Sequence, residues 1–230
     1  MHVLQFNIKY FFIAICPLFA VFNQTFAQDL KVVNRRAEYR DSVRKDGLQK
    51  MVEVRNSIPS VVYDLRYATK ENFTGRKLYK NGDKTFLRLP AAEALQKAAN
   101  ELASRGYAVK IWDAYRPYSV TKKMWELVHD ERYVADPSKG SGHNRGLAVD
   151  LTLLKDGKEL EMGTGFDNFT DSAHRDFKGL PDTVLKNRLL LQTTMEKYGF
   201  KGLSTEWWHF AFPNDGRYDV LDLDFKKLAH

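Results

Sequence analysis

The sequence predicts an α+β domain. Three stretches place apolar residues at helical spacing, short β-branched or aromatic runs between them read as strands, and Gly or Pro punctuates the joins. A chain of 230 residues that is 43% hydrophobic can bury one sizeable core and is too apolar for a disordered protein. It carries no internal repeat and no low-complexity linker, so a single catalytic-sized domain follows the N-terminal segments.

Residues 1–27 stand apart from the rest. Lys9 precedes an apolar run from Tyr10 to Phe22, and Thr25-Phe-Ala27 resembles a small-residue cleavage site ahead of Gln28, so the segment reads as a secretory signal peptide. The run is shorter than the roughly 20 residues that span a bilayer, and no stable membrane insertion is expected after cleavage. Cys16 is the one cysteine, and Ile15 stands before it where a lipoprotein site carries a small residue. The cleaved chain would hold neither disulfides nor thiolate metal ligands, which suits a bacterial periplasmic or secreted enzyme.

Residues 28–50 are densely charged and read as an N-terminal extension, partly helical, with the core beginning near Met51. The net charge is +7, but the basic residues of this stretch alternate with Glu38, Asp41 and Asp46. No aromatic platform accompanies them, so a solvated basic surface is expected and no nucleic-acid partner.

From residue 51 the elements follow in order. Val52 and Val54 alternate with Glu53 and Arg55, and Val61-Val-Tyr-Asp-Leu65 is a second β-branched run, so both predict short strands. Asn72-Phe-Thr-Gly75 and Lys80-Asn-Gly-Asp83 are turn signals. Pro90 suits the first turn of a helix whose inward face is Ala91, Ala94, Leu95, Ala98 and Leu102, with Gly106 as its stop. Tyr107 to Trp112 predicts a strand, and a second helix is expected from about Pro117 to His129 with Val120, Met124, Trp125 and Val128 inward. A polar loop runs from Asp130 to Gly142. Leu147 to Leu154 predicts a strand and Lys155-Asp-Gly-Lys158 a hairpin turn. After an irregular loop from Thr164 to Pro181, a third helix spans Thr183 to Tyr198, capped by Asp182 and stopped by Gly199. Trp207 to Phe212 closes the series as a core strand.

Two compact segments carry the chemistry, Ser141-Gly-His-Asn-Arg-Gly-Leu-Ala-Val-Asp150 and Glu206-Trp-Trp-His209. They offer two imidazoles and two carboxylates, and a zinc ion with three protein ligands keeps a position open for a water of near-neutral pKa. Straight strand would separate His143 from Asp150 by about 23 Å, so the chain must turn between them, and Asn144-Arg-Gly146 is the natural place. Asp150 would then lie on the following strand, pointing away from one core face. Glu206 and His209 would face opposite sides of an ideal strand, so the backbone must turn or bulge near Glu206. Glu206 is therefore expected on the loop before the strand, as a carboxylate that takes a proton from water rather than a metal ligand. The helix-borne His-Glu-x-x-His pattern of many zinc peptidases is absent.

Six ordered motifs between Val52 and Phe212 resemble the D-alanyl-D-alanine dipeptidase family of zinc peptidases. They are Tyr63-Asp-Leu-Arg-Tyr-Ala-Thr69, Asn72-Phe-Thr-Gly75, Trp112-Asp-Ala-Tyr-Arg-Pro117, Ser141-x-His-x-Arg-Gly-x-Ala-x-Asp150, Met162-Gly-x-x-Phe-Asp167 and Glu206-Trp-Trp-His209. The resemblance implies a central antiparallel sheet with helices on one side and a zinc site in a cleft. It also implies one Zn2+ held by His143, Asp150 and His209, with Glu206 as catalytic base and Arg116 stabilising the oxyanion, a role its fixed charge and planar donors suit. Asp167 would receive the free amine of a short D-amino-acid dipeptide, with Ser141 and Tyr67 helping to orient it.

Other readings stay open on the sequence. Arg116 could simply pair with Asp113, Ser141 could be a turn hydroxyl, Asp167 a cap and Tyr67 a packing residue. Ser119-Val-Thr-Lys122 and Ser42-Val-Arg-Lys45 match the Ser-x-x-Lys of serine enzymes, but no Lys-Thr-Gly or Ser-Asp-Asn accompanies them. A peptidoglycan D,D-carboxypeptidase or endopeptidase, and a non-catalytic zinc peptide-binding domain, are the alternatives to a dipeptidase.

Overall fold

The computed structural model describes residues 30–80 and 82–228. The expected signal peptide, with Cys16, lies outside the described residues. The elements are β1 (Val32–Val33), α1 (Arg36–Lys45), β2 (Met51–Glu53), α2 (Val54–Ser57), β3 (Val62–Tyr63), β4 (Phe86–Arg88), α3 (Leu89–Ser104), β5 (Tyr107–Asp113) and α4 (Tyr118–Val128). They continue with α5 (Gly142–Arg145), β6 (Ala148–Lys155), β7 (Lys158–Glu159), α6 (Asp182–Lys197), β8 (Lys201–Leu203), β9 (Glu206–Ala211), β10 (Val220–Leu221) and α7 (Phe225–Leu228).

The central sheet runs in the order β3-β5-β6-β9-β8, with β7 folded back on β6. Its pairings are antiparallel except β3 on β5, which is parallel, so the sheet is mostly antiparallel. Helices α3 and α6 pack on each other, α3 against β5 and α6 against β8 and β9. Val109 and Ile111 of β5, Leu151 and Leu153 of β6, and Phe210 of β9 supply the apolar face of the sheet, all deeply buried. Residues alternate between faces along a strand, so Asp150 and Thr152 stand on the opposite face from Leu151.

Local chemistry explains the boundaries. Pro90 occupies the first turn of α3, and its buried stripe is Ala91, Ala92, Ala94, Leu95, Ala98, Ala99 and Leu102. Helix α4 buries Val120, Thr121 and Met124 and ends on His129 in the left-handed conformation. The hairpin between β6 and β7 turns at Asp156 and Gly157, both at positive φ. Asp182 proves to be the first residue of α6 rather than its cap; Pro181 occupies the cap position and no side chain caps this end.

The segment from residue 30 to 50 is part of the core, not an appendage. Val33 and Tyr39 are fully buried, β1 pairs in parallel with β10, and the Met51 N–H donates to Tyr39 Oη at 2.8 Å. One buried aromatic, Tyr39, with Val43 packed against the core, seats the ten-residue α1, although most of the helix is charged. Arg88, buried and without a carboxylate ion-pair partner among the described residues, donates to the carbonyls of Gln49, Arg145 and Asp219. It thereby ties this segment to α5 and to the C-terminal strand. Among the described residues, no helix is long and apolar enough to cross a membrane.

Candidate metal centre and active-site cleft

Asp150 and His209 reach the site as cross-strand partners. Asp150 on β6 is opposite His209 on β9 in the antiparallel register, which puts both side chains on one face of the sheet at close range. Asp150 points away from the apolar face that carries Val149 and Leu151, as expected, and because β6 is buried on both faces over Ala148–Leu154 it sits in a polar pocket rather than at the surface.

His143 is delivered by one turn of helix. Ser141 Oγ accepts from the Asn144 N–H at 3.0 Å, and the Asn144 side chain accepts from the Ser141 N–H at 3.1 Å, which closes a capping box on α5. Gly146 ends the turn at φ 70°, and a Cβ there would stand 2.6 Å from Met51 Cε. The chain then doubles back, with the Leu147 N–H donating to the Gly142 carbonyl at 2.8 Å. The predicted turn at Asn144-Arg-Gly146 is therefore the end of a short helix, and it brings His143 within reach of Asp150.

The three donors converge. His143 Nε2 lies 3.3 Å from Asp150 Oδ2 and 3.2 Å from His209 Nδ1, and His209 Nδ1 lies 2.9 Å from Asp150 Oδ1. Zinc bonds of about 2.0–2.2 Å at tetrahedral angles place ligand atoms about 3.3 Å apart, so the donor set fits that ion. His143 Nδ1 donates to the Ala114 carbonyl at 2.7 Å, which leaves the Nε2 lone pair facing the other donors. Burial would raise the Asp150 carboxyl, but His143 and His209 outweigh it and hold it well below the usual range. Burial pulls the His209 imidazole down despite Asp150, which keeps it neutral and fit to ligate. Among the described residues, these three form the one His, Cys, Asp or Glu cluster with ligand atoms mutually within 4.8 Å.

Glu206 is the first residue of β9, not a loop residue, and the strand bulges just beyond it. Its Oε2 stands 3.8 Å from His209 Nδ1, and among the described residues no hydrogen-bond donor holds its carboxylate. Burial, and then the charges of Asp150 and Asp167, push the Glu206 carboxyl well above its usual range, while Arg116 and Arg175 oppose this. A bound divalent cation acts in the same sense as those arginines.

Arg116 is paired with Asp113 and lines the cavity as well, so its two readings are not alternatives. Its Nε and Nη2 each lie 2.8 Å from Asp113 Oδ2, and Nη2 lies 3.8 Å from Asp150. Asp113 in turn accepts from Tyr79 Oη at 2.6 Å and stands opposite Asp150 across β5 and β6, after a bulge at Trp112.

Asp167 adopts a left-handed backbone, φ 56°, a conformation Asp tolerates better than most residues. Tyr67 Oη donates to its Oδ1 at 2.9 Å, while Oδ2 is buried with no partner among the described residues. Burial pushes the Asp167 carboxyl up to about 7, the Tyr67 hydrogen bond partly offsetting it. Tyr67 is held edge-on by Phe73, Tyr79 and Phe166, so packing fixes the hydroxyl that orients Asp167. Ser141 caps α5 and also lines the cavity.

The cavity has a volume of about 210 Å³ and is bounded by all eight residues singled out from the sequence. It falls below the roughly 300–1,000 Å³ of drug-sized pockets. Sequence reasoning missed Tyr133, whose hydroxyl donates to the Phe169 carbonyl beside the cavity, and Asn144, whose amide donates to the Arg116 carbonyl and Thr121 Oγ1. Asp113 was visible only as an alternative partner for Arg116. The two Ser-x-x-Lys serines are structural: Ser119 donates to Asp222 and Ser42 to the Tyr39 carbonyl.

Residues 48–228 match the family profile described as D-ala-D-ala dipeptidase. A D-alanyl-D-alanine dipeptidase of Escherichia coli K12 is 37% identical over 172 residues, covering 74% of this chain and 89% of that protein. Those of Enterococcus faecium and Enterococcus faecalis are 32% and 33% identical, covering 73% and 65% of this chain and 93% and 85% of theirs. The family match spans most of the domain and includes every residue of the convergent site, and the chain belongs to the D-Ala-D-Ala dipeptidase family of peptidases.

Proposed function

We propose that the chain is a zinc-dependent dipeptidase that hydrolyses D-alanyl-D-alanine or a similarly short D-amino-acid dipeptide. One observation carries the reading: metal donors, an unheld carboxylate, a buried guanidinium and an unpaired Asp167 oxygen meet around one small cavity. Zinc held by His143, Asp150 and His209 would supply a Lewis acid and lower the pKa of water.

The protein's own groups do the rest. Glu206 takes the proton from the attacking water and returns it to the leaving amine, for which its unheld carboxylate beside the metal donors suits it. Arg116, clamped by Asp113 and lining the cavity, stabilises the carbonyl oxygen as charge develops there. Asp167 receives the substrate ammonium on its unpartnered Oδ2, oriented by Tyr67. Ser141 spends its oxygen on the helix cap and keeps its hydroxyl hydrogen for the substrate carboxylate. A stem peptide has an acylated nitrogen at this point, which brings no charge to the unpaired Asp167 oxygen. That observation favours a dipeptidase over a carboxypeptidase or endopeptidase.

Residues 1–27 support export, and an exported dipeptidase would recover D-alanine from cell-wall peptides rather than deplete a cytoplasmic precursor pool. Finding the mature protein in the cytoplasm with residues 1–27 intact would remove that part of the reading. The activity itself is tested by a panel of D,D-, L,D-, D,L- and L,L-dipeptides, assayed after metal removal and again after zinc is restored. Zinc-dependent turnover confined to D,D-dipeptides is expected; no turnover of any peptide would leave a binding domain.

A further inference from the structure

Glu206 and His209 share a cavity only because the ladder between β8 and β9 is broken. A single step on β8, Gly202 to Leu203, is matched on β9 by the stretch from Phe210 back to Glu206. Trp207, Trp208 and His209 therefore have no partner on β8. Such an interruption leaves backbone groups to be satisfied by something else.

Arg175 fills this break. Its Nε donates to the Leu203 carbonyl at 2.8 Å and its Nη2 to the His209 carbonyl at 2.7 Å, one on each side of the interruption. Its own N–H donates to the Ser204 carbonyl at 2.9 Å, and its guanidinium lies 4.2 Å from the centre of the Phe210 ring. Among the described residues no carboxylate forms an ion pair with it. The backbone is shaped to admit it: a Cβ on Gly202 would stand 2.4 Å from Arg175 Cζ and Nε. Gly202 has no left-handed φ, so close approach, not backbone conformation, is what glycine provides there.

We propose that Arg175 is a positioning residue of the metal centre, splicing the broken β8–β9 ladder so that His209 and Glu206 are held on the same side of the strand. This deepens the zinc dipeptidase reading and rests on it. Arg175 touches neither metal nor substrate; it acts through the backbone of one ligand and the strand that bears the base. A guanidinium is needed because two carbonyls must be reached at once by a rigid fork, which an ammonium cannot reproduce.

The test compares wild type with Arg175→Ala, Arg175→Lys and Gly202→Ala. It reads zinc affinity by chelator competition, the visible spectrum of the cobalt-substituted protein, kcat and KM. Loss of an outer partner of a ligand costs about 10–100-fold in metal affinity or activity, so all three variants should bind zinc at least about tenfold more weakly. Their kcat should fall similarly with KM within about threefold, and the cobalt bands should shift. Gly202→Ala keeps the guanidinium and only displaces it, so it answers the question even if Arg175→Ala does not fold. Variants with zinc affinity, cobalt spectrum and kcat within about twofold of wild type would overturn the assignment. A wild type that binds no zinc or hydrolyses nothing would instead sink the reading beneath it.

Discussion

Asp150 and His209 face each other across neighbouring antiparallel strands, Oδ1 to Nδ1 2.9 Å, and His143 completes the set from a single helical turn 3.3 Å away. The site's geometry therefore depends on sheet register as much as on the ligands. Asp150→Ala, His143→Ala and His209→Ala should each reduce bound zinc below one per chain by atomic spectroscopy and abolish turnover. Full metal content in the Asp150→Ala protein would remove Asp150 from the ligand set.

Glu206→Gln separates ligation from proton transfer. A side-chain amide preserves shape but cannot accept the proton, and a general base contributes about 10²–10⁴-fold. The variant should keep its zinc and substrate affinity while kcat falls by that factor. Retained turnover with zinc bound would place the base elsewhere.

The Asp167 carboxyl, pushed up to about 7 by burial, is protonated and neutral below that pH and charged above it. Only the charged form attracts an ammonium, so kcat/KM should rise as pH increases through about 7. Asp167→Asn should lower kcat/KM and remove that rise. A rise that persists unchanged in Asp167→Asn would assign it to another group.

Gly146 should be intolerant of a side chain. Its left-handed backbone costs an L-residue roughly 1–2 kcal/mol, and a Cβ would collide with Met51 2.6 Å away. Gly146→Ala should lose at least that stability in urea unfolding of the metal-free protein and bind zinc more weakly, because Gly146 ends the turn that bears His143. Unchanged stability would mean that the turn relaxes freely.

Much of this was legible in the sequence, for identifiable reasons. Helices α3 and α4 announce themselves by proline at the start and periodic apolar residues, and Asn144-Arg-Gly146 had to turn because His143 and Asp150 could not otherwise meet. What escaped depends on contacts distant in the chain. Tyr39 is one aromatic in a charged helix, and only Met51 and the surrounding core reveal that α1 is docked. The need for a bulge at Glu206 was readable, but its position within β9 follows from pairing with β8. Asp113 looks like a strand-end carboxylate until Arg116 and Tyr79 close on it. Arg175 is silent in sequence because its partners are backbone carbonyls, which carry no residue identity.

The most direct test compares kcat/KM of the zinc-loaded enzyme on D-Ala-D-Ala and on its N-acetylated form. The unpaired oxygen of Asp167 and the small cavity predict rapid hydrolysis of the free dipeptide and a loss of at least about 100-fold on acetylation, the scale of about 3 kcal/mol for a buried charge left unpaired. Equal hydrolysis of the two would contradict the dipeptidase account.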